Sequence, residues 1–267
     1  TVTGISYSLL PMERGIVSGI FTPEQAAYHL GLIGRYLTGP DGARLMDRPL
    51  KYSGGIEKLF RRAESSTFFG REIGLMYVHE HIRYAEALAR TGRANEFIQA
   101  LRQAIPVGYA EKVPCSDVRQ ANCYYSSSDA IFATRYQADE LYPEIIEGRI
   151  TLRGGWRVYS SGPGIFAGII MTHLLGIRRE WGRLTIDPVM PASIDGLEAS
   201  MIIYGRPVTF VYSVREGSSG PKRICVNGKD IAFTPVENPY RAGGVALDEA
   251  LFTGMLSGTA NRIDVHL

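Results

Sequence analysis

A serine- and glycine-rich turn, Ser160-Ser161-Gly162-Pro163-Gly164, precedes the apolar run 164–177. Ser161 carries a hydroxyl that can cap a helix starting there, and Gly162 and Gly164 let a ligand come close to the backbone. The free N–H groups and the positive end of such a helix favour an anion. The same residues also read as a plain N-cap, the commoner use of such a turn when the residues are taken by themselves. No Gly-Lys-Ser/Thr follows, so the turn is not a P-loop. A second candidate runs from Arg71-Glu72 to His79-Glu80-His81. Helical zinc histidines favour a spacing of four, these two are two apart, and no third ligand is evident, so no metal is expected. His79 can instead donate a hydrogen bond to an anion, or serve as a structural residue at a helix start. Glu72, Glu80 and Asp47 are carboxylates of the kind that glycosidic bond cleavage needs in pairs, and of the kind that line any solvated surface. Tyr52, Tyr77, Tyr124, Tyr125 and Trp156 can stack on sugar faces or pack in a core.

Positioning these groups falls first to helices. Thr22-Pro23-Glu24-Gln25 is a capping box with proline at the first helical position. The helix it opens, 26–37, is stopped by Gly39-Pro40. Further helices are expected over 79–90 and 95–105, with Gly92 and Pro106 as stops. Ser126-Ser127-Ser128-Asp129 reads as another capping box, opening a helix that carries Ile131, Phe132, Tyr136 and Leu141. The run 164–177 is apolar nearly all round and is expected to be enclosed by other helices. The loops 39–55 and 110–128 are long, as functional or disordered loops are, and their tyrosines favour function.

After Trp181 the apolar pattern changes to period two. Strands are expected over 184–189, 198–203, 208–214, 223–226 and 263–267, with Asn227-Gly228 as a hairpin turn. The fold class is therefore mainly α with a C-terminal antiparallel β part, divided near residue 180 into 1–180 and 181–267.

Composition narrows the function. The 267 residues are 45% hydrophobic and 21% charged, enough apolar material for a core. A net charge of +2 without a basic run gives no support for nucleic-acid binding. The longest apolar stretch is too short to span a bilayer. Three irregularly spaced cysteines, Cys115, Cys123 and Cys225, suggest neither a disulfide framework nor a zinc site, and a reducing cytoplasm is the simplest setting. The chain opens at Thr1 without methionine and reads like the middle of a larger protein.

The order of these motifs resembles the inverting glycoside phosphorylases of glycoside hydrolase family 94. The strongest stretch runs from Gly155-Trp156-Arg157 through Ser161-Gly162-Pro163-Gly164 to Leu184-Thr185-Ile186-Asp187-Pro188. The segments 39–49 and 120–129 look most like the 1,2-β-oligoglucan branch. The resemblance implies an (α/α)6 barrel, of which 1–180 would be the C-terminal half, followed by a small antiparallel β domain. It implies phosphorolysis of a β-glucooligosaccharide by inorganic phosphate, a substrate rather than a cofactor, with no metal. It gives His79, Ser161 and Gly162 to phosphate, and Glu72, Arg71 and Trp156 to sugar. The family's general-acid Asp belongs to an Asp-Trp-Asn motif that this sequence lacks. The acid is thus expected upstream, in a missing N-terminal part of the same enzyme, and the 267 residues alone are expected to be inactive. Two alternatives are a carbohydrate-binding accessory domain without turnover and the phosphorylase-like end of a cyclic β-1,2-glucan synthase.

Overall fold

The computed structural model describes residues 4–49, 75–158 and 161–267. It divides into two compact units, residues 1–87 with 99–166, and residues 88–98 with 167–267.

In the first unit, helix α1 (Leu9–Val17) buries Leu9, Met12, Ile16 and, unusually, Glu13. Helix α2 (Pro23–Tyr36) opens as expected. The Gln25 N–H donates to Thr22 Oγ1 at 3.3 Å, and the Thr22 N–H donates back to Gln25 Oε1 at 2.9 Å. A short hairpin, β1 (Thr38–Gly39) and β2 (Gly42–Ala43), follows. Its turn holds an ion pair between Asp41 and Arg44, 2.9 Å apart and both fully buried. Then come β3 (Met76–Tyr77), α3 (Val78–Arg90), α4 (Ala94–Ala104) and α5 (Tyr109–Lys112). The Leu9 N–H donates to Leu45 O at 2.9 Å and the Leu45 N–H to Leu75 O at 3.3 Å, which ties the start of α1 to the approach to β3.

The expected helix at Ser126-Ser127-Ser128-Asp129 is instead a strand, β4 (Ser127–Ala130). Its backbone is taken up by pairing on both sides, and the Ser127 hydroxyl donates to Asp129 Oδ1 at 2.7 Å rather than to a helix start. The helix begins later, as α6 (Arg135–Leu141), where Thr134 Oγ1 accepts from the Gln137 N–H at 3.1 Å. A serine-rich capping signal is local, and sheet pairing overrode it. Helix α7 (Pro143–Ile146), strand β5 (Leu152–Gly154) and helix α8 (Ser161–Ile169) complete the series. Beyond α8 the chain continues as one π turn, Ile170–Leu174. This apolar run is not enclosed as expected. Ile169 is buried, whereas Gly164, Ala167, Gly168 and Met171 are exposed. Among the described residues, neighbours cover one side only, and glycine and alanine leave little apolar area on the other.

The second unit is a β-sandwich. One sheet has the order β11-β10-β14-β9-β8 and the other β12-β13-β7-β6. Its strands are β6 (Ile177–Glu180), β7 (Arg183–Ile186), β8 (Glu198–Ile203), β9 (Arg206–Ser213), β10 (Arg223–Val226), β11 (Lys229–Asp230), β12 (Thr234–Pro235), β13 (Val245–Asp248) and β14 (Asn261–His266), with helix α9 (Glu249–Gly254) after β13. Alternation places Val208, Phe210 and Tyr212 in the core with Ile186, Leu247 and Ile263. Asn227 and Gly228, both at positive φ, form the tight turn between β10 and β11. The sheet is not wholly antiparallel, because β14 pairs with β9 in parallel while its other neighbour, β10, is antiparallel. No helix among the described residues is long and apolar enough to cross a membrane.

Candidate functional site

A small three-stranded sheet, order β3-β4-β5, organises the candidate site. Both outer strands pair antiparallel with β4, so β3 and β5 point the same way and the chain leaves them at one end. Pairing continues past the strands. The Val78 N–H donates to Ser126 O at 2.9 Å, the Ser126 N–H to Trp156 O at 2.8 Å, and the Val158 N–H to Tyr124 O at 2.9 Å. The sheet thereby fixes side by side the residues just after β3, those just before β4 and those just after β5. His79 follows β3, in the first turn of α3. Tyr124 precedes β4, Trp156 follows β5, and α8 starts a few residues later at Ser161.

Contacts draw this set together. The Tyr77 ring lies parallel to the His79 imidazole, with centroids 5.9 Å apart and planes 5° from parallel. The Tyr124 hydroxyl rests against Gly162 so closely that a Cβ at 162 would fall on it. That oxygen is buried and accepts or donates no hydrogen bond among the described residues. Burial, and after it the neighbouring Tyr77, push the Tyr124 phenol well above its usual range, so it stays a donor. Val158, just ahead of the turn, has φ 59°, a strained conformation for a β-branched residue. Trp156 is 58% exposed and borders two open clefts. Gln120, Asn122 and Arg157 line one, and Asp129, Phe132 and Arg153 line the other. An exposed indole beside amide and guanidinium groups is a surface on which a sugar ring can stack.

The expected residues divide as follows. His79, Gly162 and Trp156 stand at the same end of the sheet, and Ser161 opens α8. Arg71 and Glu72 lie outside the described residues. His81 is a core residue. It is fully buried, its Nδ1 accepts from the Ala43 N–H at 3.1 Å, and its Nε2 is 2.8 Å from Ala100 O. Acceptance at Nδ1 fixes the proton on Nε2, and burial pulls the pKa down, so this ring is neutral and both nitrogens are occupied. Asp47 caps the chain start by accepting from the Ser6 and Tyr7 N–H groups, each at 3.0 Å.

Sequence reasoning counted Tyr124 as one loop aromatic among several and did not place it against Gly162. It also passed over Glu13, whose signal was a charge on the apolar face of α1.

Parts of the chain are similar to known proteins. Residues 176–266, the span of the sandwich, match the family described as "Glycoside phosphorylase C-terminal domain". The chain thus resembles the glycoside phosphorylases in this C-terminal part. Over 252 residues, 94% of its length, it is also 42% identical to a 1,2-β-oligoglucan phosphorylase of Listeria innocua. It is 27% identical over 157 residues, 59% of its length, to the cyclic β-(1,2)-glucan synthase NdvB of Rhizobium meliloti. The chain spans 23% of the Listeria protein and 5% of the Rhizobium protein.

Proposed function

We propose that this chain is part of a phosphorylase and holds the phosphate half of an active site that cleaves β-1,2-glucooligosaccharides and releases α-glucose 1-phosphate. The observation that supports the reading is the buried Tyr124 hydroxyl, without a hydrogen-bond partner among the described residues, set against Gly162 at the start of α8, with His79 following β3 at the same end of the sheet. Each offers a hydrogen-bond donor, and the helix start adds its positive dipole end. Donors of this kind suit a phosphate oxyanion, and charge-assisted hydrogen bonds to phosphate are among the strong ones.

In the proposed reaction a carboxylic acid protonates the glycosidic oxygen while a phosphate oxygen attacks the anomeric carbon from the opposite face, with inversion. Phosphate held by His79, the Ser161-Gly162 backbone and Tyr124 supplies that nucleophile. Arg71, Glu72 and Trp156 are our assignments to the sugar. No Asp-Trp-Asn triplet occurs in the 267 residues, so we assign the acid to the remainder of the protein and expect no turnover from this chain alone. On the same reading residues 1–180 contribute helices to an (α/α)6 barrel, and 181–267 form the domain that follows it. The reaction needs no metal or other cofactor. Three free cysteines suit a reducing cytoplasm.

The similarity to NdvB supports a second reading, the phosphorylase-like end of a cyclic β-1,2-glucan synthase. A long upstream chain with membrane-spanning segments distinguishes it from the first.

His79→Ala tests the site in the intact enzyme. Losing one charge-assisted hydrogen bond costs about 1.5–3 kcal/mol, so KM for phosphate should rise roughly 10- to 150-fold. The KM for oligosaccharide should change little. A fall in oligosaccharide affinity with unchanged phosphate affinity would remove His79 from the phosphate site.

A further inference from the structure

Helix α1 carries a charge where its periodicity calls for a core residue. Glu13 lies between Met12 and Ile16 and is fully buried. No N–H or O–H group among the described residues donates to either of its carboxyl oxygens. Arg14, next along the helix, brings Nε within 3.5 Å of Glu13 Oε1 but outside hydrogen-bond geometry. Its Nη2 donates to Glu80 Oε2 at 2.8 Å instead. Glu80, in the first turn of α3, is brought beside Glu13 by Arg14, which lies 3.5 Å from Glu13 Oε1 and 2.8 Å from Glu80 Oε2, and the two carboxyl groups act on each other. Arg83, one turn further along α3, is engaged by Glu86 at 2.6 Å. The charged groups acting most on Glu13 among the described residues are Glu80 and Arg83 from α3 and Arg14 from its own helix.

Two carboxyl groups in contact inside a protein share one proton, because two buried negative charges repel and are poorly solvated. The proton belongs on Glu13. Glu80 has the Arg14 guanidinium and a 12% exposed side chain, whereas Glu13 has neither exposure nor a donor. Burial, reinforced by Glu80, pushes Glu13 up to about 10. Burial alone would raise Glu80 too, but Glu13 and Arg14 hold it below the usual carboxylate value.

We propose that Glu13 is a positioning residue for His79: its protonated carboxyl donates to Glu80 and locks the Glu80 carboxylate 3.9 Å from His79 Nε2. The proposal rests on the reading of His79 as a phosphate ligand. Glutamine at position 13 keeps a donor in place, whereas leucine keeps the bulk and removes it. In the intact enzyme, Glu13→Gln should therefore retain wild-type KM for phosphate, and Glu13→Leu should raise it about tenfold, with KM for oligosaccharide unchanged in both.

The experiment measures both KM values for wild type, Glu13→Gln, Glu13→Leu and His79→Ala. If His79→Ala raises the phosphate KM while a folded Glu13→Leu does not, positioning by Glu13 is overturned and the phosphate reading stands. If His79→Ala leaves it unchanged, the phosphate reading itself fails and takes the proposal with it. An equal loss in the Gln and Leu variants overturns the donor role. Should Glu13→Leu not fold, the Gln variant decides through its melting temperature between about pH 6 and pH 9. Wild type should lose stability relative to Glu13→Gln as pH rises, and parallel curves overturn the protonated acid.

Discussion

Asp41→Ala should destabilise the protein by about 3–5 kcal/mol, the usual cost of removing one partner of a buried ion pair. Asp41 and Arg44 have no exposed side-chain surface, and two contacts, at 2.9 and 3.0 Å, join them within the β1–β2 turn. The Arg44 N–H also donates to Leu37 O at 2.8 Å, which ties the backbone beside the pair to the residue after α2. Without Asp41 the positive charge remains buried with no carboxylate beside it. Replacing both residues together, Asp41→Leu with Arg44→Met, should recover much of the loss because no charge is then left unpaired. Chemical denaturation of the single and double variants checks this. A single-variant loss below about 1 kcal/mol would show that water reaches the pair.

Gly162→Ala should lower phosphate affinity at least tenfold, about 1.4 kcal/mol, without lowering stability to match. A methyl at 162 takes the space of the Tyr124 hydroxyl and its ring edge. Either the tyrosine swings away, and a donor leaves the site, or the start of α8 shifts. Alanine is a better helix former than glycine by about 1 kcal/mol, which offsets part of the packing cost. The diagnostic pattern is therefore loss of affinity in a protein that still melts near the wild-type temperature. Isothermal titration with inorganic phosphate and a thermal melt separate the two effects. Unchanged affinity would place the anion elsewhere.

The acid pair adds a pH dependence whose sign is fixed. Unfolded Glu13 loses its proton near 4.5, and folded Glu13 keeps it to about 10. The stability it contributes is fully present below the lower value and falls as pH rises towards the upper one. The slope through that window is about 1.4 kcal/mol per pH unit, and Glu13→Gln removes it.

What the sequence made legible was what neighbours in the chain decide. Thr22 caps α2 because Gln25 is three residues away. Asn227-Gly228 turns because only those residues tolerate positive φ at low cost. Val208, Phe210 and Tyr212 alternate inward because a strand has period two. The sheet that builds the candidate site was not legible. Its strands have two to four residues, too few for a period, and the pairing of Tyr77 with Ser127 and of Ser128 with Gly154 spans dozens of residues. Ser126-Ser127-Ser128-Asp129 looked like a cap for the same reason, since its partners are distant. The parallel pairing of β9 with β14 is equally non-local. Glu13 was passed over because its meaning depends on Glu80, on another helix. Tyr124 was seen, but its contact with Gly162 was not. His79 and the Ser161-Gly162 turn were legible as candidates, with their order along the chain pointing to a known family.

The central claim is that His79 and the start of α8 hold the same phosphate. A double-mutant cycle with His79→Ala and Gly162→Ala, reading phosphate affinity in the intact enzyme, tests it most directly. Two groups bound to one anion are coupled, so the double variant should lose less than the sum of the single losses, by about 0.5 kcal/mol or more. Strict additivity would mean that the two residues act on different ligands, and would contradict the shared phosphate site.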